Sequence, residues 1–200
     1  MYGDVINNEF PKVIGMLESY LDFKRWGFEL IYAGDFPQYL PFIIYQSRQC
    51  KIKFTYARGR EYESPKIHID YGRSHSLLDQ RLMMWNGEKR RCWHEVEHVI
   101  SFLDGFSPTN ANESNFPIPS IVHDFYEFHG GKGLEQKEYI VRKNAYIWEH
   151  YGQRLFDVFD LRHPELWSEY EKFLKEYYIY VYKQNKVSEI PGDIPPYKVC

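Results

Sequence analysis

The sequence predicts an α+β fold: an N-terminal helix, an antiparallel meander of about four strands, and a helical C-terminal half that ends in a long helical hairpin. Two changes of hydrophobic period support this prediction. Apolar residues recur at helical spacing up to Gly27, alternate with polar residues from there to Tyr71, and return to helical spacing after Asn86. Because no helix-length spacers separate the strands, we expect antiparallel neighbours in one globular domain over residues 1–200.

The first helix is expected between Asn8, a residue type that caps helices, and Gly27, a residue type that ends them. Pro11 fits a position near the helix start, where proline is tolerated. The apolar residues of this segment lie on one helical stripe. They are Val13, Ile14, Leu17, Tyr20 and Leu21.

Strands are expected at 28–33, 42–47, 50–57 and 66–71. In the third strand the even positions are apolar and the odd positions up to Thr55 are polar, and in the fourth strand the odd positions are the apolar ones. Such alternation is typical of a strand with one buried face. Short polar connections between the strands favour hairpin turns, which completes the predicted meander.

The C-terminal half is expected to be helical, with a long surface loop at 106–120 and an extended tail at 188–200. Both segments are rich in proline and show no periodicity. Ser120 is expected to cap a short helix. The predicted helices cover 88–103, 120–128, 140–159 with Gly152 as a weak point, and a last helix that begins at Pro164.

Charge and composition exclude several classes of protein. The chain has 25 Lys and Arg against 28 Asp and Glu, a formal net charge of −3, which excludes a strongly basic nucleic-acid arm and an acidic disordered tail. Cys50, Cys92 and Cys200 form no C-x-x-C pair, which argues against a disulfide framework or a cysteine-built zinc site. Without a signal-peptide pattern or a membrane-length apolar run, we expect a soluble, cytoplasmic protein with no membrane partner.

One motif suggests catalysis. Residues 94–98, His-Glu-Val-Glu-His, satisfy H-E-x-x-H and its reversed form, and over these five residues they resemble the zinc-binding helix of metalloproteases. On a helix, His94 and His98 share one face and can bind zinc, while Glu95 can act as general base on a metal-bound water. In the reversed motif Glu97 takes the role of the base. A zinc-dependent hydrolase with zinc as cofactor is therefore the alternative function.

The expected helix geometry favours a simpler interpretation of this motif. Over 88–103 the apolar residues form one arc, and His94 and His98 point away from it, toward a cleft or solvent. No third ligand stands at a familiar spacing, and Glu97 places a charge where metalloproteases have an uncharged residue. We therefore expect a solvated helix, no cofactor and no enzymatic activity.

Basic residues are concentrated at 48–91, where 11 Lys and Arg stand against 5 acidic residues. Lys51, Lys53, Lys66 and His68 are expected on the sheet face opposite the apolar one, as a candidate anion-binding or nucleic-acid-binding surface. The strand aromatics are expected on the other face, so no stacking platform accompanies these cations and nucleic acid is not the favoured partner. The competing interpretation is a polar face that is solvated or is partly covered by a C-terminal helix bearing Glu165, Glu169 and Glu176.

Aromatic residues make up 18% of the chain, and most occupy predicted core positions. Some fall off the predicted stripes and form a candidate interaction surface, since tyrosine and tryptophan are enriched at interfaces. These are Trp85, Tyr178, Tyr180 and Tyr182. The favoured function is a non-catalytic binding or interaction domain, with an unknown protein or small ligand as partner; a homo-oligomer is left open.

Overall fold

The computed structural model describes residues 3–34, 42–57, 66–73, 93–108 and 119–184. Within these ranges an N-terminal helix, a sheet and a helical C-terminal half follow one another, which confirms the α+β class. The strands are β1 (Glu29–Gly34), β2 (Phe42–Gln46), β3 (Cys50–Ala57), β4 (Lys66–Arg73) and β5 (His94–Glu95). The helices are α1 (Gly3–Tyr20), α2 (Val96–Leu103), α3 (Ser120–Phe128), α4 (Gln136–Tyr151), α5 (Gln153–Asp157) and α6 (Pro164–Gln184).

The strands form one antiparallel sheet in sequence order, from β1 at one edge to β5 at the other. The fifth strand is missing from the sequence prediction, because two residues are too few to show a period of two. It pairs Glu95 with Asp70 and His94 with Tyr71. The first four strands are confirmed.

Aromatic rings fill the layer between the sheet and the helices. Phe23, just after α1, stacks on Tyr45 of β2 with ring centroids 3.8 Å apart. Trp148 of α4 meets Phe23 edge-on at 5.6 Å, and Phe159, after α5, stacks on Tyr71 of β4 at 6.1 Å. The high aromatic content therefore serves mainly to fill this core, where each ring buries a large apolar area.

Tyr71 ties the sheet to α4 through buried hydrogen bonds. Its hydroxyl donates to Asn144 Oδ1 at 2.7 Å and accepts from Trp148 Nε1 at 2.7 Å. Asn144 Nδ2 donates in turn to the Ile140 carbonyl at 2.9 Å, one turn earlier in α4. Burial raises the pKa of Tyr71, so the hydroxyl keeps its proton and remains a donor at neutral pH. The network fixes α4 against β4.

Two helices begin at residues other than those predicted. Helix α1 begins at Gly3 rather than after Asn8, and Pro11 lies inside it. A proline within a helix removes one backbone hydrogen bond, but Pro11 does not end this helix. Its position therefore did not indicate where the helix begins. Helix α2 begins at Val96, whereas the prediction covers 88–103, of which 88–92 lie outside the described residues. Pairing with β4 holds the two preceding residues in an extended conformation.

The helix predicted over 140–159 is two helices. Gly152 separates α4 from α5 with φ 56° and ψ −136°, a left-handed φ that glycine adopts without strain. The break redirects the chain so that Leu155 and Phe156 are both buried in the core. Ser120 is the first residue of α3 rather than its cap, a position that Pro119 takes.

Parts of the predicted loop and tail cannot be compared with the structure. The loop at 106–120 is described only at 106–108 and 119–120, and the tail at 188–200 lies outside the described residues. In the described part of the chain, no helix combines the length and the apolar character that crossing a bilayer requires.

Candidate functional site

A row of charged side chains crosses the sheet on the face opposite the core. The register places Lys53 of β3, Asp70 of β4 and Glu95 of β5 side by side. Lys53 Nζ lies 3.3 Å from Asp70 Oδ2 and 4.7 Å from the centroid of the Trp93 ring. Burial lowers the pKa of Lys53, and the neighbouring Asp70 opposes this shift. Asp70 therefore lies between a lysine and a second carboxylate.

A cleft of about 410 Å³ lies beside this row, where the last three strands of the sheet meet α2 and α4. Its polar lining comes from all of these elements. The polar residues are Thr55, Asp70, Glu95, Glu97, Lys143 and Asn144. Its apolar wall consists of Ile69, Val96 and Ile140. The cleft thus combines a small apolar wall with several converging polar groups.

An ion pair between Lys143 and Glu97 joins α4 to α2 at the cleft. The Lys143 side chain is 11% exposed, and its ammonium group contacts Glu97 Oε1. Lys143 Nζ also lies 5.8 Å from the centroid of the Tyr139 ring. Attraction between the two charges is stronger here than in water, since the lysine is withdrawn from solvent.

The negative charges of the cleft carboxylates affect a tyrosine of α6. The pKa of Tyr177 in α6 is raised, mainly by its burial and further by the negative charges of Glu95 and Glu97. The acidic character of this region therefore extends beyond the cleft lining.

The structure separates the residues of the H-E-x-x-H motif. His94 belongs to β5 and His98 to α2, so the expectation that both share one helix face is wrong. His94 is 3% exposed, and its ring lies 5.6 Å from that of Trp167 and 5.4 Å from that of Tyr170, both in α6. Its register with Tyr71 puts it on the core face of the sheet, a position that a helical projection cannot show.

His98 is also buried, contrary to the prediction that both histidines face a cleft or solvent. It is 9% exposed, and its ring centroid lies 5.0 Å from that of Tyr177 in α6. Glu95 is exposed and lines the cleft, whereas neither His94 nor His98 lines it. The motif therefore supplies one carboxylate to the cleft and two histidines to the packing of α6.

We expect His94 and His98 to hold no stoichiometric zinc, because each packs against aromatic rings of α6 and neither shares a cleft with Glu95. Metal analysis of the purified protein after equilibration with zinc tests this expectation. The wild type and the His98→Ala variant should contain the same amount of metal, with circular dichroism verifying that the variant is folded. Stoichiometric zinc that is lost in the variant would contradict the expectation.

Among the described residues, one group of three side chains brings potential metal-ligand atoms within 4.8 Å of one another: Asp157, Asp160 and His163. Asp160, however, already accepts hydrogen bonds from the Arg162 guanidinium, at 3.0 Å from Nε and 2.5 Å from Nη2. Both oxygens of this buried carboxylate are engaged by Arg162, so a cation would have to displace a charged partner. The group therefore forms the turn between α5 and α6, and we assign no metal to it.

Two of the four predicted anion-binding residues, Lys51 and Lys53, are not exposed to solvent as free cations. Lys51 is 4% exposed, contrary to the expected projection into solvent, and Lys53 pairs with Asp70. Alternation along a strand shows which face a residue takes, but not whether that face is covered. Lys66 and His68 lie on β4 opposite Ala57 and Thr55, and their side chains are outside the described structure. Their role in anion binding stays a prediction.

The predicted interaction residues are described only in part. Tyr180 is 7% exposed and its ring centroid lies 6.0 Å from that of Phe106, so its expected place on an exposed surface is wrong. The segment after α2 covers this turn of α6, which no property of the α6 sequence shows. The side chains of Tyr178 and Tyr182, and all of Trp85, lie outside the described structure, so their role stays a prediction.

Sequence reasoning missed the residues that complete the cleft. Asp70 was placed correctly on a strand, but its position beside Glu95 depends on the unpredicted strand β5. Lys143 lies on the predicted helix in a segment with ordinary charge content, and only packing brings it to Glu97. The sequence contained one signal for these residues: Lys143 and Asn144 are polar residues on an otherwise apolar face of the predicted helix.

Comparisons with protein-family models, curated proteins and solved structures found no match for this chain. The fold and the site therefore define its class. It is an α+β protein in which a mixed polar and apolar cleft lies between an antiparallel sheet and its covering helices.

Proposed function

We propose that the protein is a non-catalytic domain that binds a small ligand in this cleft. The supporting observation is the cleft itself: its volume of about 410 Å³ falls within the range of roughly 300–1,000 Å³ typical of small-molecule sites. Its lining joins a small apolar wall to six polar residues, and such polar groups can fix the orientation of a bound ligand. A cytoplasmic location is part of this proposal, supported by the free, buried thiol of Cys50.

The lining favours binding over catalysis. No histidine, cysteine or serine is among the described residues that line the cleft. These side chains most often act as the general base or the nucleophile near neutral pH. The two histidines nearest in sequence, His94 and His98, pack against α6 instead.

The walls of the cleft are held in place by contacts within the protein. Asn144 is fixed by Tyr71 and by its own helix, and Lys143 contacts Glu97 across the two helices. Strands β3 and β4, which supply the sheet wall, pair continuously from Cys50 to Ala57. A site that is already ordered loses little conformational entropy when a ligand binds, which favours affinity.

A fragment screen read by two-dimensional amide NMR tests the proposal. We expect some members of a chemically mixed library to shift the Val96, Lys143 and Asn144 resonances in a saturable manner. Thr55→Trp should abolish these shifts because the indole would occupy the cleft, and tryptophan is compatible with a strand. Leu30→Trp is the matched control, since Leu30 is 43% exposed on β1 at the opposite edge of the sheet.

The two variants decide between binding in the cleft and unspecific effects. Loss of the shifts in Thr55→Trp alone supports the proposal. Shifts that persist in a folded Thr55→Trp variant, or that never include the cleft resonances, would overturn it.

A further inference from the structure

We infer that the ligand of this cleft is an organic cation, an ammonium or guanidinium group attached to an apolar body. The inference rests on the proposed function and names the chemical class of the ligand. It draws on three features of the cleft: its balance of charges, the spacing of its carboxylates and its apolar wall.

The side chains at the cleft carry an excess of negative charge. Asp70, Glu95 and Glu97 place three carboxylates in its lining, and Lys143 places one ammonium group there. Lys53, which pairs with Asp70, adds a second ammonium group, so three negative charges stand against two positive charges. A cationic ligand complements this charge balance better than an anionic ligand does.

Existing ion pairs also favour a cationic ligand. Lys53 contacts Asp70, and Lys143 contacts Glu97. An anionic ligand would meet three carboxylates and two ammonium groups, each of which is already paired with one of those carboxylates. A cation can bind to the remaining lone pairs of the same carboxylates while both lysine contacts persist. Binding of a cation therefore requires neither ion pair to break.

The spacing of the carboxylates favours an extended organic cation over a metal ion. In the described part of the chain, Asp70, Glu95 and Glu97 do not form a group whose ligand atoms all lie within 4.8 Å of one another. Calcium and magnesium need several oxygen ligands at about 2.0–2.6 Å from one centre. An ammonium or guanidinium group directs its donors outward and can reach carboxylates that lie further apart.

The apolar wall determines the rest of the ligand. Ile69, Val96 and Ile140 line the cleft beside the charged groups, and Val96 is buried. Hydrocarbon that packs on this wall is removed from water, which favours binding. A simple inorganic cation gains nothing from such a surface, whereas an amine with an aromatic or aliphatic body does.

Three probes that share one apolar body and differ in head-group charge test the inference. Phenethylamine is the cation, 2-phenylethanol the neutral analogue and phenylacetate the anion. In amide NMR titrations we expect phenethylamine to shift the Val96 and Lys143 resonances with an affinity about tenfold or more above that of either analogue, as a charged hydrogen bond implies. Magnesium chloride, added as a fourth probe, should not compete with the amine.

Matched variants assign the effect to the cleft. Glu95→Gln should weaken phenethylamine binding several-fold, because it removes an exposed carboxylate of the lining while keeping its shape. Glu29→Gln, the same change at another exposed position, on β1 at the opposite edge of the sheet, should leave the affinity unchanged. Equal weakening in both variants would indicate a general charge effect and would overturn the inference.

The outcomes separate this inference from the proposed function. If 2-phenylethanol or phenylacetate binds in the cleft as tightly as phenethylamine or more tightly, the inference of a cationic ligand is wrong, but the proposed binding of a small ligand stands. The same conclusion follows if magnesium displaces the amine. If phenethylamine shifts no resonance of the cleft, the inference of a cationic ligand is also wrong. If the fragment screen is negative as well, the proposed function falls with it.

Discussion

The Tyr71→Phe variant is expected to have a free energy of unfolding about 2–4 kcal/mol below that of the wild type. The change removes only the hydroxyl, which donates to Asn144 Oδ1 and accepts from Trp148 Nε1, each at 2.7 Å. All three side chains are at most 1% exposed, so water cannot replace the lost partner of either group. Each buried polar group left without a hydrogen bond costs about 1–3 kcal/mol.

Denaturant unfolding followed by tryptophan fluorescence measures this loss. Tyr32→Phe is a matched control, because Tyr32 lies on the edge strand β1 and its contact with Phe42 is a ring stack, at 4.8 Å, that phenylalanine preserves. We expect a change within about 0.5 kcal/mol for the control. Similar losses in both variants would show that the buried hydrogen bonds of Tyr71 are not the cause.

The Asp160→Asn variant is expected to be about 1–3 kcal/mol less stable than the wild type at pH 7, because hydrogen bonds to a charged group are lost or weakened. Asp160 is 1% exposed, and its carboxylate accepts from the Arg162 backbone N–H at 2.8 Å and from the Arg162 guanidinium. These bonds hold the turn that leads into α6. Denaturant unfolding of both proteins measures the difference.

The stability difference should depend on pH with a definite sign. The hydrogen bond from Arg162 lowers the pKa of Asp160 below its ordinary value. A carboxyl group whose pKa is lowered by folding stabilises the protein fully at pH values above its pKa in the unfolded chain, which is about 4. This contribution is lost as the pH falls through the lower pKa of the folded state. The advantage of the wild type over Asp160→Asn should therefore be constant between about pH 7 and pH 5 and shrink below about pH 4.

Asp157→Asn provides the control for this prediction. Asp157 precedes Asp160 in the same turn, but its hydrogen bond, from Gln153 Nε2 at 3.0 Å, is exposed. We expect its substitution to change the stability by no more than about 0.5 kcal/mol. A pH-independent loss in Asp160→Asn, or an equal loss in Asp157→Asn, would contradict the assigned role of the Arg162 contact.

Local periodicity was sufficient to predict most of the fold. The alternation in β3 put Ile52 and Phe54 in the core, and the stripe of α6 put Tyr170 and Phe173 there, as the structure confirms. Such patterns are reliable because burial selects apolar residues at the repeat of the local backbone. Where the pattern was interrupted, as at Gly152, the sequence showed a weak point but not that the helix ends there.

The candidate site depended on contacts between distant parts of the chain. Glu95 was identified for a role beside His94, yet adjacent residues of β5 face opposite sides of the sheet. Its neighbours in the cleft are Asp70 and Glu97, and the lysine across the cleft, Lys143, comes from α4. A five-residue motif is ambiguous when the same letters fit a helix or the end of a strand.

The sequence by itself determined the α+β class, four strands of the meander and the apolar faces of the helices, because each depends on residues close together in the chain. The tertiary structure alone decided that His94 and Tyr180 are buried and that Asp70, Glu95 and Lys143 line one cleft. Strand pairing and helix packing bring together residues far apart in sequence, and periodicity carries no information about such pairs. The cleft, and with it the proposed function, follows from that packing.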